Sequence, residues 1–259
     1  MMGNISRRFW RVWQRNLDVY GATWKLNFIP PLFEPLLYLF AFGMGLGGLV
    51  KEVFYAGNAV TYLRFIAPGL VATAVMNHGF FETTYASFVR MYYQKTFDAI
   101  LSTPLMIEDV VFGEVVWGTT KALMAGSIMF IVVAFFGLLS FPEALAMLFV
   151  IFIGGFAFSA MGMCFTAIVK NIEMFNLPVF LLITPMFLFG GVFFPLDQLP
   201  AWARALAWCL PLTYLVSALR SLALGMSTAG LVIDVLVLAL TGVVCAHLSL
   251  VLMKSRLIK

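Results

Sequence analysis

Six long apolar runs, each close to the roughly 20 residues a helix needs to cross a hydrocarbon layer, take up most of this chain. They fall at residues 28–50, 65–91, 115–139, 144–169, 174–194 and 231–253. Only 11% of the 259 residues are charged and 63% are hydrophobic, too few charges to cover a water-soluble domain of this size. Backbone groups in lipid must pair within their own segment, so the runs are expected to be helices. The expected fold is an all-α integral membrane protein, with residues 1–259 forming a single transmembrane domain.

The net charge of +4 could suggest nucleic acid, but its distribution suits a membrane better. If the N-terminus is inside, the inner segments hold Arg7, Arg8, Arg11, Arg15, Lys25, Arg90, Lys95, Lys121, Lys170, Lys254, Arg256 and Lys259. The outer segments then hold Lys51, Arg64, Arg204 and Arg220. Positive charge accumulates on the cytoplasmic side, which puts both termini there. Cys164, Cys209 and Cys245 are scattered and imply no disulfide framework; those in apolar runs read as small buried hydrophobes.

Three segments stand apart from the six runs. Residues 4–25 form an amphipathic pattern, with Trp10, Trp13, Leu17, Tyr20 and Trp24 at helical spacing and Arg8, Arg11, Arg15 and Asp18 opposite. Such a helix suits the headgroup layer, its indoles wedged in and Arg7, Arg8 and Arg11 on lipid phosphates; packing on a protein is the other reading. Residues 93–114 are a polar island between the second and third runs. Within it Thr96–Leu101 reads as a short helix broken by Ser102, Thr103 and Pro104. With Phe97, Ile100 and Leu101 exposed beside Asp98, that helix would be a rigid knob for a partner's groove; a solvated loop is the plainer alternative. Residues 195–229 are too broken by Pro195, Pro200 and Pro211 for a span and too apolar for a free loop, which suggests short helices dipping into the outer leaflet.

Glu34, His78 and Glu82 fall inside apolar runs, where a charge costs roughly 3 kcal/mol or more and so should face protein or water. They could line a polar vestibule for a substrate headgroup. They could equally be packing contacts, Glu82 bonded to His78 one turn away and Glu34 to backbone near Pro35. No metal cluster or catalytic constellation is visible, since the two histidines, His78 and His247, lie on different runs.

The order of these features resembles the permease subunit of type-2 ABC exporters. The string FDAILSTPLMIEDVVFGEVVWGTTKAL from Phe97 and the string FGGVFFPLDQLPAWARALAWCLPLTYLVSALRSLALG from Phe189 resemble in particular the nodulation-factor (lipo-chitooligosaccharide) exporter branch. The resemblance implies six spans with a re-entrant outer hairpin before the last, in a bacterial inner membrane. It implies a permease homodimer carrying two copies of a separate ATPase that binds the ATP and magnesium, consistent with the lack of a G-x-x-x-x-G-K-[ST] motif in this chain. Thr96, Phe97, Asp98, Ile100, Leu101 and Pro104 would dock on that ATPase, and Glu108, Asp109 and Glu114 would line the socket. Phe193, Phe194, Pro195, Trp202 and Arg204 would belong to an outer lid, although phenylalanines there also suit lipid contact. The implied function is outward movement of an amphipathic lipo-oligosaccharide, glycolipid or drug-like molecule. An ion-coupled secondary transporter would instead need internal inverted repeats and a midplane relay, of which one His–Glu pair is the sole hint. A lipid-modifying intramembrane enzyme would need a nucleophile with its base.

Overall fold

The computed structural model describes residues 6–50, 52–226 and 230–257. Residues 4 and 5 of the expected first helix, Lys51 and Lys259 of the charge count and residues 227–229 lie outside these. Helix α1 (Phe9–Ala22) ends at Thr23, and α2 (Trp24–Phe40) continues through a π-helical turn, Ala41–Leu46. A hairpin of β1 (Glu52–Tyr55) and β2 (Asn58–Thr61) follows, Val53 opposite Val60. Its two-residue turn puts Ala56 and Gly57 at φ of 50° and 80°, the left-handed geometry that matches the twist of paired strands. Helix α3 (Tyr62–Phe81) runs on through two further π-helical turns, Glu82–Ala86 and Val89–Tyr93.

After the short α4 (Thr96–Leu101) comes the long α5 (Ile107–Phe135), then α6 (Met147–Ile168) and a broken helix α7 (Ile172–Phe189). The chain closes with α8 (Ala201–Trp208), α9 (Pro211–Ala223) and α10 (Gly230–Leu257). Among the described residues, four helices are long and apolar enough to cross a membrane: Ile107–Phe135, Glu143–Ile168, Ile172–Phe189 and Gly230–Leu257. Helices α8 and α9 meet at 87° and would add a fifth crossing if they form one span. The first two expected runs are outside that set. The α-helical part of the first, Trp24–Phe40, is 17 residues long and carries Lys25 and Glu34, and α3 carries Arg64, Asn77 and His78.

Helix α5 begins eight residues before the expected third run, inside the polar island. Its first turn holds Glu108 and Asp109, where carboxylates favour the positive end of the helix dipole, and Asp109 Oδ2 accepts from the Met106 backbone N–H at 3.2 Å. Asn171 Oδ1 caps the turn into α7 by accepting from Met174 N–H at 3.1 Å. A π-helical turn, Val179–Ile183, lies between Pro178 and Pro185.

The core is split. A large cluster joins α3, α5, α6 and α9, and a second gathers Phe88, Phe97, Val110, Val111, Phe175 and Met253 at the end near Ser6 and Leu257. Helices α3 and α6 touch backbone to backbone at Gly162, where an added Cβ would stand 2.3 Å from Thr83 Oγ1 and 2.8 Å from the Phe80 carbonyl. Gly162→Ala should therefore cost about 1–3 kcal/mol in thermal or denaturant unfolding of the detergent-solubilised chain. Gly45→Ala, with nothing within 4 Å of its Cβ position, is the matched control and should stay within about 0.5 kcal/mol. Equal stability of the two variants would refute the close crossing.

Candidate functional site

At the end of the bundle that carries the second core cluster, α3 turns its polar side chains toward α1 and α5. Arg90 is the hub. Its Nη1 donates to Glu82 Oε1 at 2.9 Å, and its Nη2 and Nε donate to Glu114 Oε2 at 2.6 and 3.0 Å. Glu114, fully buried on α5, also accepts from Ser87 Oγ at 2.6 Å and from Asn16 Nδ2 of α1 at 2.8 Å. Glu82 is completed by the Trp117 indole N–H at 2.8 Å and by Lys121 Nζ at 3.5 Å. A buried carboxylate is tolerated only when its oxygens are all engaged, as both are here. The π-helical turns help to set the register: Ser87 Oγ reaches back to the Glu82 carbonyl, five residues earlier.

Two clefts open beside this network. One, of about 450 Å³, lies between α1, α3 and α5, with Arg15, Tyr20, Glu82, Arg90, Trp117 and Lys121 on its walls. The other, of about 390 Å³, shares Glu82, Tyr85 and Lys121 and continues along α3 to Asn77, His78 and Glu34. The sequence-selected trio of Glu34, His78 and Glu82 is thus brought to one polar track. The expected Glu82–His78 bond gives way to a different set of partners, because Arg90, two helical turns away, reaches Glu82 first. Arg15 donates to Asn16 Oδ1 at 3.0 Å and to Thr96 Oγ1 at 3.4 Å; its burial lowers its pKa, an effect that nearby Glu114 opposes.

The N-terminal helix packs on this chain along one face. Its buried face is Val12 and Asn16, with Phe9 edge-on to Phe112, Tyr20 edge-on to Trp117, and Trp13 Nε1 donating to Thr120 Oγ1 at 2.9 Å. Trp13 is therefore tied to protein, whereas Trp10, stacked on it at 4.2 Å, stays 47% exposed. Arg7 and Arg11 are exposed, the latter donating to Gln14; Arg8 donates to the Pro104 carbonyl at 2.7 Å. Ser6 donates from its N–H and its Oγ to the two oxygens of Asp109, at 2.8 and 3.0 Å.

The short helix expected over Thr96–Leu101 is present, entered through Lys95 at φ 54°. Its exposed face differs from the expected one. Phe97 is fully buried in the second core cluster, Thr96 is buried, and Ile100 and Leu101 are half-buried; Asp98, Ser102, Thr103 and Pro104 are exposed. Helical geometry explains the correction: Phe97 is the only aromatic of the segment and takes the inward position against Phe88 and Phe175. Glu108, Asp109 and Glu114 are likewise interior groups. Glu108 pairs with Lys254 at 2.5 Å, and the other two are held as described, so their oxygens face this chain and not an external socket.

At the opposite end, Phe193 packs between Phe42 and Phe187, Pro195 is buried, and Phe194, Trp202 and Arg204 are exposed, Trp202 lying edge-on to Phe189. Arg220, counted above as an outer loop charge, is buried. Its Nε donates to the Phe65 carbonyl at 3.0 Å and its Nη2 to the Gly191 carbonyl at 2.7 Å, with the guanidinium 3.7 Å from the Phe65 ring centroid. Cys164 and Cys245 sit side by side on α6 and α10, the Cys164 thiol donating to the Cys245 carbonyl at 3.1 Å; Cys209 is exposed. Among the described residues no group of three or more histidine, cysteine, aspartate or glutamate side chains could hold a metal ion. Sequence reasoning passed over Arg90, Ser87, Asn16 and Lys121. Arg90 had been read only as a loop charge, yet its place two turns past Glu82 on one helix was a usable signal.

A polar network at one end of an apolar helical bundle fits the family comparison. The model for the ABC-2 type transporter matches residues 7–224. The chain belongs to the ABC-2 type transporter family. It is 37% identical to nodulation protein J of Rhizobium leguminosarum bv. viciae over 248 residues, 96% of this chain and 94% of that protein. It is 36% identical to nodulation protein J of Rhizobium meliloti over 246 residues, covering 95% and 92% of the two chains. The inner membrane transport permease YadH of Escherichia coli K12 is 23% identical over 221 residues, 85% of this chain and 84% of that one. As an ABC-2 protein the chain is a multi-pass membrane subunit of an ABC transporter, a class of subunit that works with an ABC ATPase.

Proposed function

We propose that this ABC-2 subunit is the permease half of an exporter in the bacterial inner membrane, moving an amphipathic lipo-oligosaccharide, glycolipid or drug-like molecule outward. Two copies of the chain form the path, six crossings each, with α8 and α9 as a re-entrant outer hairpin. Two copies of a separate ATPase bind the ATP and magnesium. Both termini, α1, α4 and the polar clefts face the cytoplasm, as the distribution of positive charge favours.

One observation carries the reading: a continuous hydrogen-bonded chain links the exposed segment around α4 to the polar cleft. It runs from Thr96 through Arg15 and Asn16 to Glu114, then Arg90 and Glu82. A displacement of α4 by a docked ATPase would therefore reach the cleft through rigid contacts, the kind of element through which two sites can bias one equilibrium. Asp98, Ser102, Thr103 and Pro104 supply the docking face; Phe97 anchors it from within.

Affinity purification of the tagged chain from its native membrane should recover a Walker-motif ATPase at one copy per permease. Asp98→Arg, which reverses an exposed charge, should lower ATP turnover in the assembled complex about tenfold or more without reducing membrane insertion. A homo-oligomer without ATPase would sink the exporter reading and return attention to an ion-driven transporter using His78 and Glu82. Normal turnover in Asp98→Arg would remove α4 from the docking face.

A further inference from the structure

The ionised groups around the larger cleft do not balance. Three cations, Arg15, Arg90 and Lys121, face two carboxylates, Glu82 and Glu114. Arg90 is shared by both carboxylates, and Lys121 stands beside Glu82 with its other side over the Tyr20 ring at 4.8 Å. Arg15 is left with the neutral oxygens of Asn16 and Thr96. Glu34, the next carboxylate, stands at the far end of the adjoining cleft beside His78. Among the described residues the mouth therefore carries one positive charge in excess, in a setting where charge is poorly solvated.

The surroundings indicate what would balance it. The opening of about 450 Å³ is walled by aromatic and polar side chains, so it admits a hydrated headgroup. Val19, on its wall, is 57% exposed, an apolar surface on which a hydrocarbon chain could lie. A free inorganic ion would use only the first of these features. An amphiphile uses both.

We propose that this cleft binds the monoanionic headgroup of an amphiphile, a phosphodiester or sulfate ester, between the guanidinium of Arg15 and the ammonium of Lys121. The assignment rests on the exporter reading only in so far as it gives the transported molecule a charged headgroup. A bilayer phospholipid presents the same chemistry, and binding can be measured with no ATPase present, so the two readings fail separately.

The test is native mass spectrometry of the full-length chain in neutral detergent, titrated with phosphatidylglycerol, phosphatidylcholine or inorganic phosphate. Phosphatidylglycerol should bind about tenfold more tightly than the zwitterionic lipid, the size of one charge-assisted contact. Arg15→Gln should abolish that preference and Arg15→Lys keep it. Lys25→Gln, which removes an exposed charge of α2, should leave it intact. Equal binding of the two lipids, or a preference that survives Arg15→Gln, would overturn the site. Displacement of bound phosphatidylglycerol by inorganic phosphate would make it a site for the free ion and overturn the amphiphile assignment. Retained preference with no co-purifying ATPase would leave the lipid site standing and the exporter reading refuted.

Discussion

Arg90→Met is expected to cost about 3–5 kcal/mol of folding stability, because it strands two carboxylates that share one guanidinium in the interior. Glu114 is fully buried and cannot turn to solvent, and Glu82, nearly buried on the cleft wall, loses its 2.9 Å ion pair. The variant should show reduced folded yield and a lower unfolding midpoint in detergent. The double variant Arg90→Met/Glu114→Gln should recover most of that loss. A neutral amide can still accept from Ser87 or Asn16 and no longer needs a cation. Glu82 would retain Trp117 and Lys121. A single variant within about 1 kcal/mol of the parent would show that the network is not closed as described. The double variant also separates structure from coupling. If it folds but its ATPase complex no longer responds to the α4 segment, Arg90 transmits motion as well as holding the helices.

Arg220→Gln should have a comparable effect at the other end of the molecule. The side chain ties α9 to the start of α3 and to the turn after α7, through the carbonyls of Phe65 and Gly191. Losing it takes that donor from the buried Gly191 carbonyl, at about 1–3 kcal/mol, takes a second donor from the Phe65 carbonyl, which keeps its place in the helix, and removes a desolvated guanidinium–ring contact of about 2 kcal/mol. Part of this will be regained by the glutamine amide, so about 3 kcal/mol overall is expected. Arg220→Lys should rescue little, since one ammonium cannot span two carbonyls and stack on Phe65 together. Hydrogen exchange read at residues 190–192 should rise in both variants while α6 stays protected. Unchanged exchange there would mean that the hairpin is held by its apolar contacts alone.

The apolar runs made the helical membrane fold legible, and the helix over Thr96–Leu101 was placed to the residue from its turn signals. The start of α5 was not, because Glu108 and Asp109 were read as loop polarity when they are the first-turn acids of a helix. Phe97 was assigned the wrong side for a related reason. A six-residue helix has too few positions for periodicity to choose a face, and the deciding partners, Phe88 and Phe175, are distant or belong to a different element. The polar track was partly visible: Glu34, His78 and Glu82 were picked out because charge in lipid is costly. Asn16 and Ser87 are ordinary residues in sequence and gain their meaning from the partners that the fold brings to them, Glu114, Arg15 and Arg90. Arg90, Lys121 and Arg220 looked like loop markers, since counting basic residues by segment treats every one as solvated.

The π-helical turns Glu82–Ala86 and Val89–Tyr93 make the effect of chain length on α3 depend on where the length changes. Each such turn acts as a one-residue insertion in an α-helix, and one residue corresponds to about 100° of rotation about the axis. Removing one residue from either turn would let it close to α-helix, so the side chains beyond would keep their face. The same deletion within Tyr62–Phe81 has no slack to draw on and would swing every side chain beyond it by that angle. A gap of one residue between two chains of this kind therefore says little about the opening when it falls in a π-helical turn and a great deal when it falls outside one.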